Sequence, residues 1–200
     1  MLWIAITSPS FHEGEEYFLK RLLAHGVDLV HLRKPEASEQ ECAGLLESLS
    51  ETERSRIVVH DFFGLALPYG LHGIHLNSRH NTVPDGYTGH VSRSCHSLEE
   101  VAKYKDKYSY VFLSPIFDSI SKHGYVSAFS RETLKEAAAE GIIDEKVVAL
   151  GGVTPENAGW LEKLGFGGAA MLGCVNSLAL LPQSEQDSRL EEVRHMVKGM

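Results

Sequence analysis

Residues 147–156 read VVALGGVTPE, a short apolar run that ends in two glycines and leads into the start of a helix. Such a run predicts a buried strand, and a proline just after Thr154 is typical of a first helical turn. The stretch therefore predicts a strand–turn–helix unit. Gly151 and Gly152 have two interpretations: a tight turn, or a phosphate-binding turn in which the missing side chains let an anion reach backbone N–H groups.

The same unit recurs along the whole chain. The apolar runs lie at 2–7, 29–34, 56–61, 73–77, 90–96, 108–114, 147–152 and 167–173. Segments with helical spacing lie at 14–25, 38–50, 97–106, 131–140, 155–164 and 185–198. Eight alternating units predict an α/β fold, a closed (β/α)8 TIM barrel formed as a single domain over residues 1–200. An open doubly wound sheet is the alternative, but it would normally stop at five or six strands.

The composition excludes some classes of partner. The 200 residues include 27 acidic and 19 basic side chains, a formal net charge of −8, and no basic run, so we expect no nucleic acid partner. Three widely spaced cysteines without a CxxC pair favour reduced thiols. The N-terminus lacks a basic flank and a long apolar stretch, so we expect no signal peptide, no membrane span and a cytoplasmic location.

The C-terminal ends of the strands carry the chemistry of a TIM barrel. The second strand ends in His31-Leu32-Arg33-Lys34. Because side chains alternate along a strand, His31 and Arg33 share one face. The cations Arg33 and Lys34 suit an anionic ligand; the alternative is that they leave the strand and meet solvent.

Three further strand ends carry polar side chains. The third ends in His60 and Asp61, and Asp61 is either a helix N-cap or a ligand for Mg²⁺ beside a diphosphate. The fourth contributes His75, which is either a core histidine or a residue that contacts the ligand. The fifth contributes Ser94 and His96, with Ser94 the expected inward-facing donor.

Two phosphate sites are expected at the last three strand ends. In the loop after the sixth strand, Ser119, Ser121 and Lys122 offer two hydroxyls and an ammonium, which suit a diphosphate; a flexible polar loop is the alternative. Barrels often bind a phosphate with the loops after strands seven and eight. The glycines of those loops are Gly151, Gly152 and Gly173.

Seven short motifs follow one another at the strand ends. They are IAIT at 4–7, HLRKP at 31–35, HD at 60–61, HLNSRH at 75–80, SRSCH at 92–96, SPIFDSISK at 114–122 and ALGGV at 149–153. In this order they resemble the thiamine phosphate synthase family and its close relative, the TenI-type thiazole tautomerase. The resemblance covers essentially the full chain, and it rests on the order of the motifs because no single one is specific.

The resemblance implies a transferase that condenses hydroxymethylpyrimidine diphosphate with a thiazole phosphate and releases pyrophosphate. It also implies a cofactor, Mg²⁺, bound by Asp61, and suggests a homodimer. The residues that it assigns to the diphosphate are Arg33, Ser119, Ser121 and Lys122. Those that it assigns to the pyrimidine pocket are His75 and Ser94, and Gly151 and Gly152 would take the thiazole phosphate.

Several positions depart from the family's motifs. His31 replaces a glutamine of the motifs, His60 replaces an asparagine, and His80 replaces the second metal-binding aspartate. Gly173 replaces a serine, and Pro35 replaces a lysine for which Lys34 would substitute. Histidine is a poor ligand for Mg²⁺, so the replacement at His80 bears directly on the metal.

Two alternatives to the synthase follow from these departures. His31 resembles the tautomerase, an isomerase that moves a proton with a histidine and needs no metal. The tautomerase's catalytic histidine lies in a GHxF motif, however, and Pro115 stands at that position, as in the synthase. The other alternative is a barrel that binds phosphorylated ligands without turnover. Pro115 and the loop with Ser119 and Lys122 favour the synthase.

Overall fold

The computed structural model describes residues 1–118 and 128–199 and contains a closed barrel of eight parallel strands. The strands are β1 (Leu2–Ile6), β2 (Leu29–Leu32), β3 (Ile57–Val59), β4 (Gly73–Leu76), β5 (His90–Cys95), β6 (Tyr110–Leu113), β7 (Val147–Ala149) and β8 (Gly168–Met171). Each strand pairs with the next in sequence, and β8 closes the barrel on β1 through the register Leu2↔Gly168 to Ala5↔Met171. The predicted (β/α)8 fold class is therefore confirmed.

Helices connect the strands around the outside. They are α1 (Glu15–Ala24), α2 (Glu39–Glu47), α3 (Glu51–Arg54), α4 (Leu98–Tyr104), α5 (Arg131–Ala139), α6 (Pro155–Lys163), α7 (Gly173–Leu178) and α8 (Gln183–Lys198). Between β3 and β4 there is only a short 3-10 turn at Phe63–Leu65. The short helices α3 and α7 were not predicted, and Gly173 begins α7. Among the described residues, no helix has the length and apolar character needed to cross a bilayer.

Alternation along the strands separates two buried clusters. The side chains of one cluster face the barrel interior: Ile4, Ile6, Leu29, Val58, Tyr110, Phe112, Val148 and Ala170. Their strand neighbours, such as Trp3, Val30 and Val111, belong to the larger cluster beneath the helices. Because a closed barrel has no edge, every inward side chain must find its partners among the other inward side chains. This constraint applies equally to the polar residues of the interior.

Gly151 and Gly152 form the turn between β7 and α6, and both have positive φ angles, 90° and 63°. A Cβ atom on Gly151 would lie 2.8 Å from Cα of Pro115, and one on Gly152 would lie 2.4 Å from the carbonyl oxygen of Asp118. The peptide N–H of Phe117 also donates to the carbonyl of Gly151 (3.0 Å). Both glycines are therefore required by close packing of two chain segments, whatever ligand the turn binds.

We expect Gly152→Ala to lower the free energy of unfolding by about 2 kcal/mol or more, because it adds a Cβ atom at a positive φ and against backbone. The matched control is Gly159→Ala in α6, where the new Cβ would have no described atom within 4 Å. That change should stabilise the protein by up to about 1 kcal/mol through helix propensity. Urea unfolding of both variants measures the difference, and equal stabilities would contradict the packing argument.

Candidate active site

Polar side chains occupy one half of the barrel interior, on strands β2 to β6. They are His31 on β2, His60 directly after β3, His75 on β4, Ser92 and Ser94 on β5 and Tyr110 on β6. His31 and His75 are 0% exposed and His60 is 5% exposed. The ring of Phe112 lies 4.8 Å from that of His31 and 4.6 Å from that of His75, measured between centroids. The structure thus brings together the predicted residues His31, His60, His75 and Ser94.

His31 is the centre of a hydrogen-bonded chain. Its Nδ1 lies 2.8 Å from Nε2 of His60, and its Nε2 lies 2.7 Å from the hydroxyl oxygen of Tyr110. The ring of His60 also stacks on that of His75, with centroids 4.3 Å apart. Each imidazole is therefore fixed by contacts with groups on other strands.

His75 is held between two serine hydroxyls. Its Nδ1 lies 2.8 Å from Oγ of Ser92, and its Nε2 lies 2.8 Å from Oγ of Ser94. The hydroxyl of Ser92 donates to the carbonyl of Ile74 (3.4 Å), so it is available to His75 as an acceptor. This network assigns the proton of His75 to Nδ1 and leaves the lone pair of Nε2 facing the Ser94 hydroxyl.

Burial keeps all three imidazoles neutral. Burial, with a smaller contribution from the positive charge of Arg93, lowers the pKa of His75 from 6.5 to about 3. It also holds the pKa of His31 and of His60 well below 6.5, with His75 as the next cause in both cases. At neutral pH these rings are therefore hydrogen-bonding groups and not cations.

Acid should destabilise the protein from pH 6.5 downward. Between pH 6.5 and about 3 the unfolded chain binds a proton at His75 that the folded chain does not. The free energy of unfolding therefore decreases as the pH is lowered through this range. The expected slope is about 1.4 kcal/mol per pH unit for each such histidine. Urea unfolding at several pH values, for the wild type and for His75→Asn, tests this. In the variant, the slope of the free energy of unfolding against pH should be smaller by about 1.4 kcal/mol per pH unit, the contribution of one bound proton. Equal slopes for the variant and the wild type would contradict the prediction.

Asp61 lies at the mouth of the barrel, the C-terminal end of the strands, and its side chain is buried. Its Oδ1 accepts from the Arg79 guanidinium at 2.8 Å and lies 3.3 Å from Nε2 of His80. Its Oδ2 is buried without a hydrogen-bond partner among the described residues. The N-cap interpretation is not realised, because Phe62, at φ 53°, precedes the 3-10 turn.

Asn77 organises the turn that carries Arg79 and His80, the two residues facing Asp61. Its Nδ2 donates to the carbonyl of His60 at 2.9 Å. Its Oδ1 accepts from the backbone N–H groups of Arg79 (2.9 Å) and His80 (3.2 Å). The end of β4 and the end of β3 are thereby tied together at the mouth.

Arg33 is half-buried at the same end of the barrel. Its backbone N–H donates to Oγ1 of Thr7 at 2.9 Å. The positive charges of Arg33 and Arg79 are among the smaller causes that lower the pKa of His60, after burial and His75. The mouth therefore combines one carboxylate with two permanent cations.

Two groups of side chains could hold a metal ion. Oδ2 of Asp61 is an oxygen ligand of the kind that hard cations prefer. Within residues 1–118 and 128–199, one cluster of three metal-ligand side chains lies close together: His31, His60 and His75, each with a ligand atom within 4.8 Å of the others.

The remaining predicted residues are placed as follows. His96 is exposed at the end of β5, with its Nδ1 3.2 Å from the carbonyl oxygen of Ser114. Gly151, Gly152 and Gly173 follow β7 and β8. Ser119, Ser121 and Lys122 lie outside the described residues.

The family of the chain follows from its sequence match over these elements. A sequence model described as "Thiamine monophosphate synthase" matches residues 3–175, which include all eight strands except the first residue of β1, Leu2. The chain belongs to the thiamine monophosphate synthase family.

Individual relatives agree with this assignment. A thiamine-phosphate synthase of Photorhabdus laumondii is 27% identical over 167 residues, covering 79% of this chain and 77% of the relative. One of Yersinia pestis is 26% identical over 192 residues, covering 91% and 86%. A crystal structure of thiamine phosphate pyrophosphorylase from Bacteroides thetaiotaomicron is 38% identical, with a TM-score of 0.89 and coverage of 99% and 98%. These names favour the synthase over the tautomerase.

Lys34 departs from the position expected in a thiamine monophosphate synthase. Its ammonium lies 2.6 and 2.7 Å from the two carboxylate oxygens of Glu15 on α1, and it donates to the carbonyl of Ser10 at 3.0 Å. It also lies 4.4 Å from the ring centre of Phe11. Because side chains alternate along a strand, that of Lys34 points to the same side as Leu32 and away from the side of Arg33. It therefore packs beneath α1. Burial lowers its pKa, and the contact with Glu15 opposes that shift.

Glu15→Gln should lower the free energy of unfolding by about 3–5 kcal/mol, because it leaves the Lys34 ammonium buried without its counter-charge. The double variant Glu15→Leu/Lys34→Met removes both charges and should recover most of the loss. Urea unfolding at neutral pH measures both. A single variant as stable as the wild type would contradict a structural ion pair.

Several site residues were missed from the sequence. Tyr110 and Ser92 each precede an inward residue by two positions, so strict application of alternation would have found them. Arg79 and Asn77 lie in a turn, where no periodic pattern applies. Only the geometry reveals their contacts with Asp61 and His60.

Proposed function

We propose that this member of the thiamine monophosphate synthase family condenses hydroxymethylpyrimidine diphosphate with thiazole phosphate to give thiamine phosphate and pyrophosphate. One structural observation supports the proposal in addition to family membership. A buried layer of neutral hydrogen-bonding side chains lies directly beneath a charged mouth, and the two are separated by the single step from His60 to Asp61. The substrate of the proposed reaction also has a neutral part, the heteroaromatic ring, and a charged part, the diphosphate. The ring would face the neutral layer and the diphosphate would lie at the mouth.

The neutral layer suits the pyrimidine. Ser94 and His60, the members of the layer that are not fully buried, would supply hydrogen bonds for ring nitrogens and an amino group. His75 and His31 hold these two side chains in place beneath the pyrimidine. When the C–O bond to the diphosphate breaks, positive charge develops on the pyrimidine methyl carbon before the thiazole nitrogen attacks it. Imidazoles held neutral by burial do not repel that charge, whereas imidazolium groups would.

The charged mouth suits the diphosphate. The residues proposed to hold it are Arg33, Ser119, Ser121 and Lys122, and the arginine acts as a bidentate donor to phosphate oxygens. His96 and Lys34 are not carried into this group, because His96 contacts Ser114 and Lys34 is paired with Glu15. The thiazole phosphate is proposed to bind at Gly151, Gly152 and Gly173.

The residues present fit Mg²⁺ through one protein carboxylate. Oδ2 of Asp61 is a buried oxygen without a partner in the described part of the chain, as a metal ligand would be. Proteins commonly bind Mg²⁺ with one or two carboxylates and substrate phosphates, so the histidine at position 80 reduces the carboxylates to one without removing the site. When bound, the ion would neutralise charge on the departing pyrophosphate. Arg79 holds the other oxygen of Asp61 and thereby fixes the carboxylate.

The test is pyrophosphate release from hydroxymethylpyrimidine diphosphate, thiazole phosphate and Mg²⁺, with and without EDTA. We expect EDTA to abolish release, and Asp61→Asn to lower kcat/KM by about 100-fold or more. The matched control is Asp85→Asn, which alters an exposed carboxylate in the loop after β4 and should leave the rate unchanged.

Other outcomes separate the alternatives. Pyrophosphate release that neither EDTA nor Asp61→Asn reduces would contradict the proposed role of Mg²⁺. No release, with isomerisation of a thiazole carboxylate phosphate in EDTA, would identify the tautomerase. No reaction, with thermal stabilisation by thiazole phosphate, would identify a binding protein. A homodimer remains part of the proposal on the resemblance alone, and a cytoplasmic location on the interpretation of the three widely spaced cysteines as reduced thiols.

A further inference from the structure

The three buried histidines have properties beyond those that a substrate pocket needs. Each offers a ring nitrogen within 4.8 Å of the others, and all three rings are buried. A neutral imidazole carries one donor and one acceptor nitrogen, so two such rings can share one proton between them. A ring nitrogen of His31 lies 2.8 Å from one of His60 in this way, in the middle of the barrel.

We propose that His31, His60 and His75 form a binding site for one divalent transition ion of the zinc type. Neutral imidazole is a preferred ligand for Zn²⁺, Co²⁺ and Ni²⁺ and a poor one for Mg²⁺. The site is therefore chemically distinct from the oxygen ligand at Asp61, although the two are adjacent through His60. Three protein ligands leave a fourth position for water, as in open zinc sites.

The groups that surround the histidines support this assignment. Histidines that bind metal almost always hydrogen-bond through the nitrogen that does not face the ion. The hydroxyl of Tyr110 lies 2.7 Å from Nε2 of His31, which leaves Nδ1 for the ion. Ser92 lies 2.8 Å from Nδ1 of His75, which leaves Nε2. Both rings are thus oriented with a ligand nitrogen toward the cluster.

Binding an ion requires the three nitrogens, now within 4.8 Å of one another, to adopt the spacing of a metal coordination shell. Zinc–nitrogen bonds of about 2.0–2.1 Å in a tetrahedron separate the nitrogens by about 3.3 Å. The nitrogens of His31 and His60, now 2.8 Å apart, would separate by roughly half an ångström. The proton between them would move to the far nitrogen of the ring that carries it, which for His31 is Nε2 beside the Tyr110 hydroxyl, so that both rings bind the ion as neutral imidazoles. The hydroxyl of Ser94 would rotate away from Nε2 of His75. His60, the one ring of the three with measurable exposure, gives the route from the mouth.

A consequence for activity rests on the proposed function. A divalent ion in this layer would add positive charge where the pyrimidine methyl cation is proposed to form. Zinc should therefore inhibit pyrophosphate release while Mg²⁺ supports it. The binding site itself does not depend on the condensation, so its test uses bound metal and not activity.

The experiment titrates the untagged protein with CoCl2 and records the visible absorption of the bound ion, followed by competition with ZnCl2. We expect one ion per chain with the intense bands of tetrahedral Co²⁺. His31→Asn, His60→Asn and His75→Asn should each weaken binding at least about 10-fold. The matched control is His72→Asn, which alters a half-buried histidine that packs against the exposed His90 outside the cluster and should bind Co²⁺ as the wild type does.

Tyr110→Phe provides a second, milder variant that keeps all three ligands and the aromatic ring. It removes the hydroxyl that orients His31 and should weaken Co²⁺ binding about 10- to 100-fold. This variant decides the question if the histidine variants do not fold by circular dichroism. No tetrahedral Co²⁺ signal in the wild type would overturn the proposal, and so would affinities that the cluster variants and Tyr110→Phe leave unchanged.

Discussion

The pairing of β8 with β1 is the constraint on which the rest of this structure depends. Closure removes the edges of the sheet and divides every strand into inward and outward side chains. Outward residues pack beneath the helices, and inward residues have only one another as partners. A polar residue on an inward position must therefore meet other polar residues across the barrel, and His31 meets both His60 and Tyr110 in this way.

The same closure produces a sharp electrostatic boundary. Within one residue the chain passes from His60, which burial holds neutral, to Asp61, which contacts a guanidinium. Charged groups stay at the mouth because an uncompensated charge inside the barrel would lose its hydration. On the outside of the barrel, the buried charge of Lys34 is likewise compensated, by an ion pair with Glu15. Reaction chemistry that separates a neutral ring from an anionic leaving group suits such a boundary.

The barrel was predictable from sequence because its signal is periodic. Apolar runs predicted all eight strands, and alternation put His31 and Arg33 on one face and predicted that Ser94 faces inward. Contacts between distant segments were not predictable, since no pattern links Lys34 with Glu15 or Asp61 with Arg79. The wrong expectation for Lys34 arose from motif position, which ignored that neighbouring residues on a strand point in opposite directions. The N-cap interpretation of Asp61 was wrong because the chain turns at Phe62 before any helix begins.

The glycine turn after β7 has a consequence for how this protein can diverge. Gly151 and Gly152 press against the main chain of residues 115–118, which leads from β6 toward the loop proposed for the diphosphate. A side chain at position 151 or 152 would have to displace main chain and not only a flexible side chain. Substitution of either glycine is therefore expected to move residues 115–118 themselves, so this protein can diverge around the turn far more readily than within it.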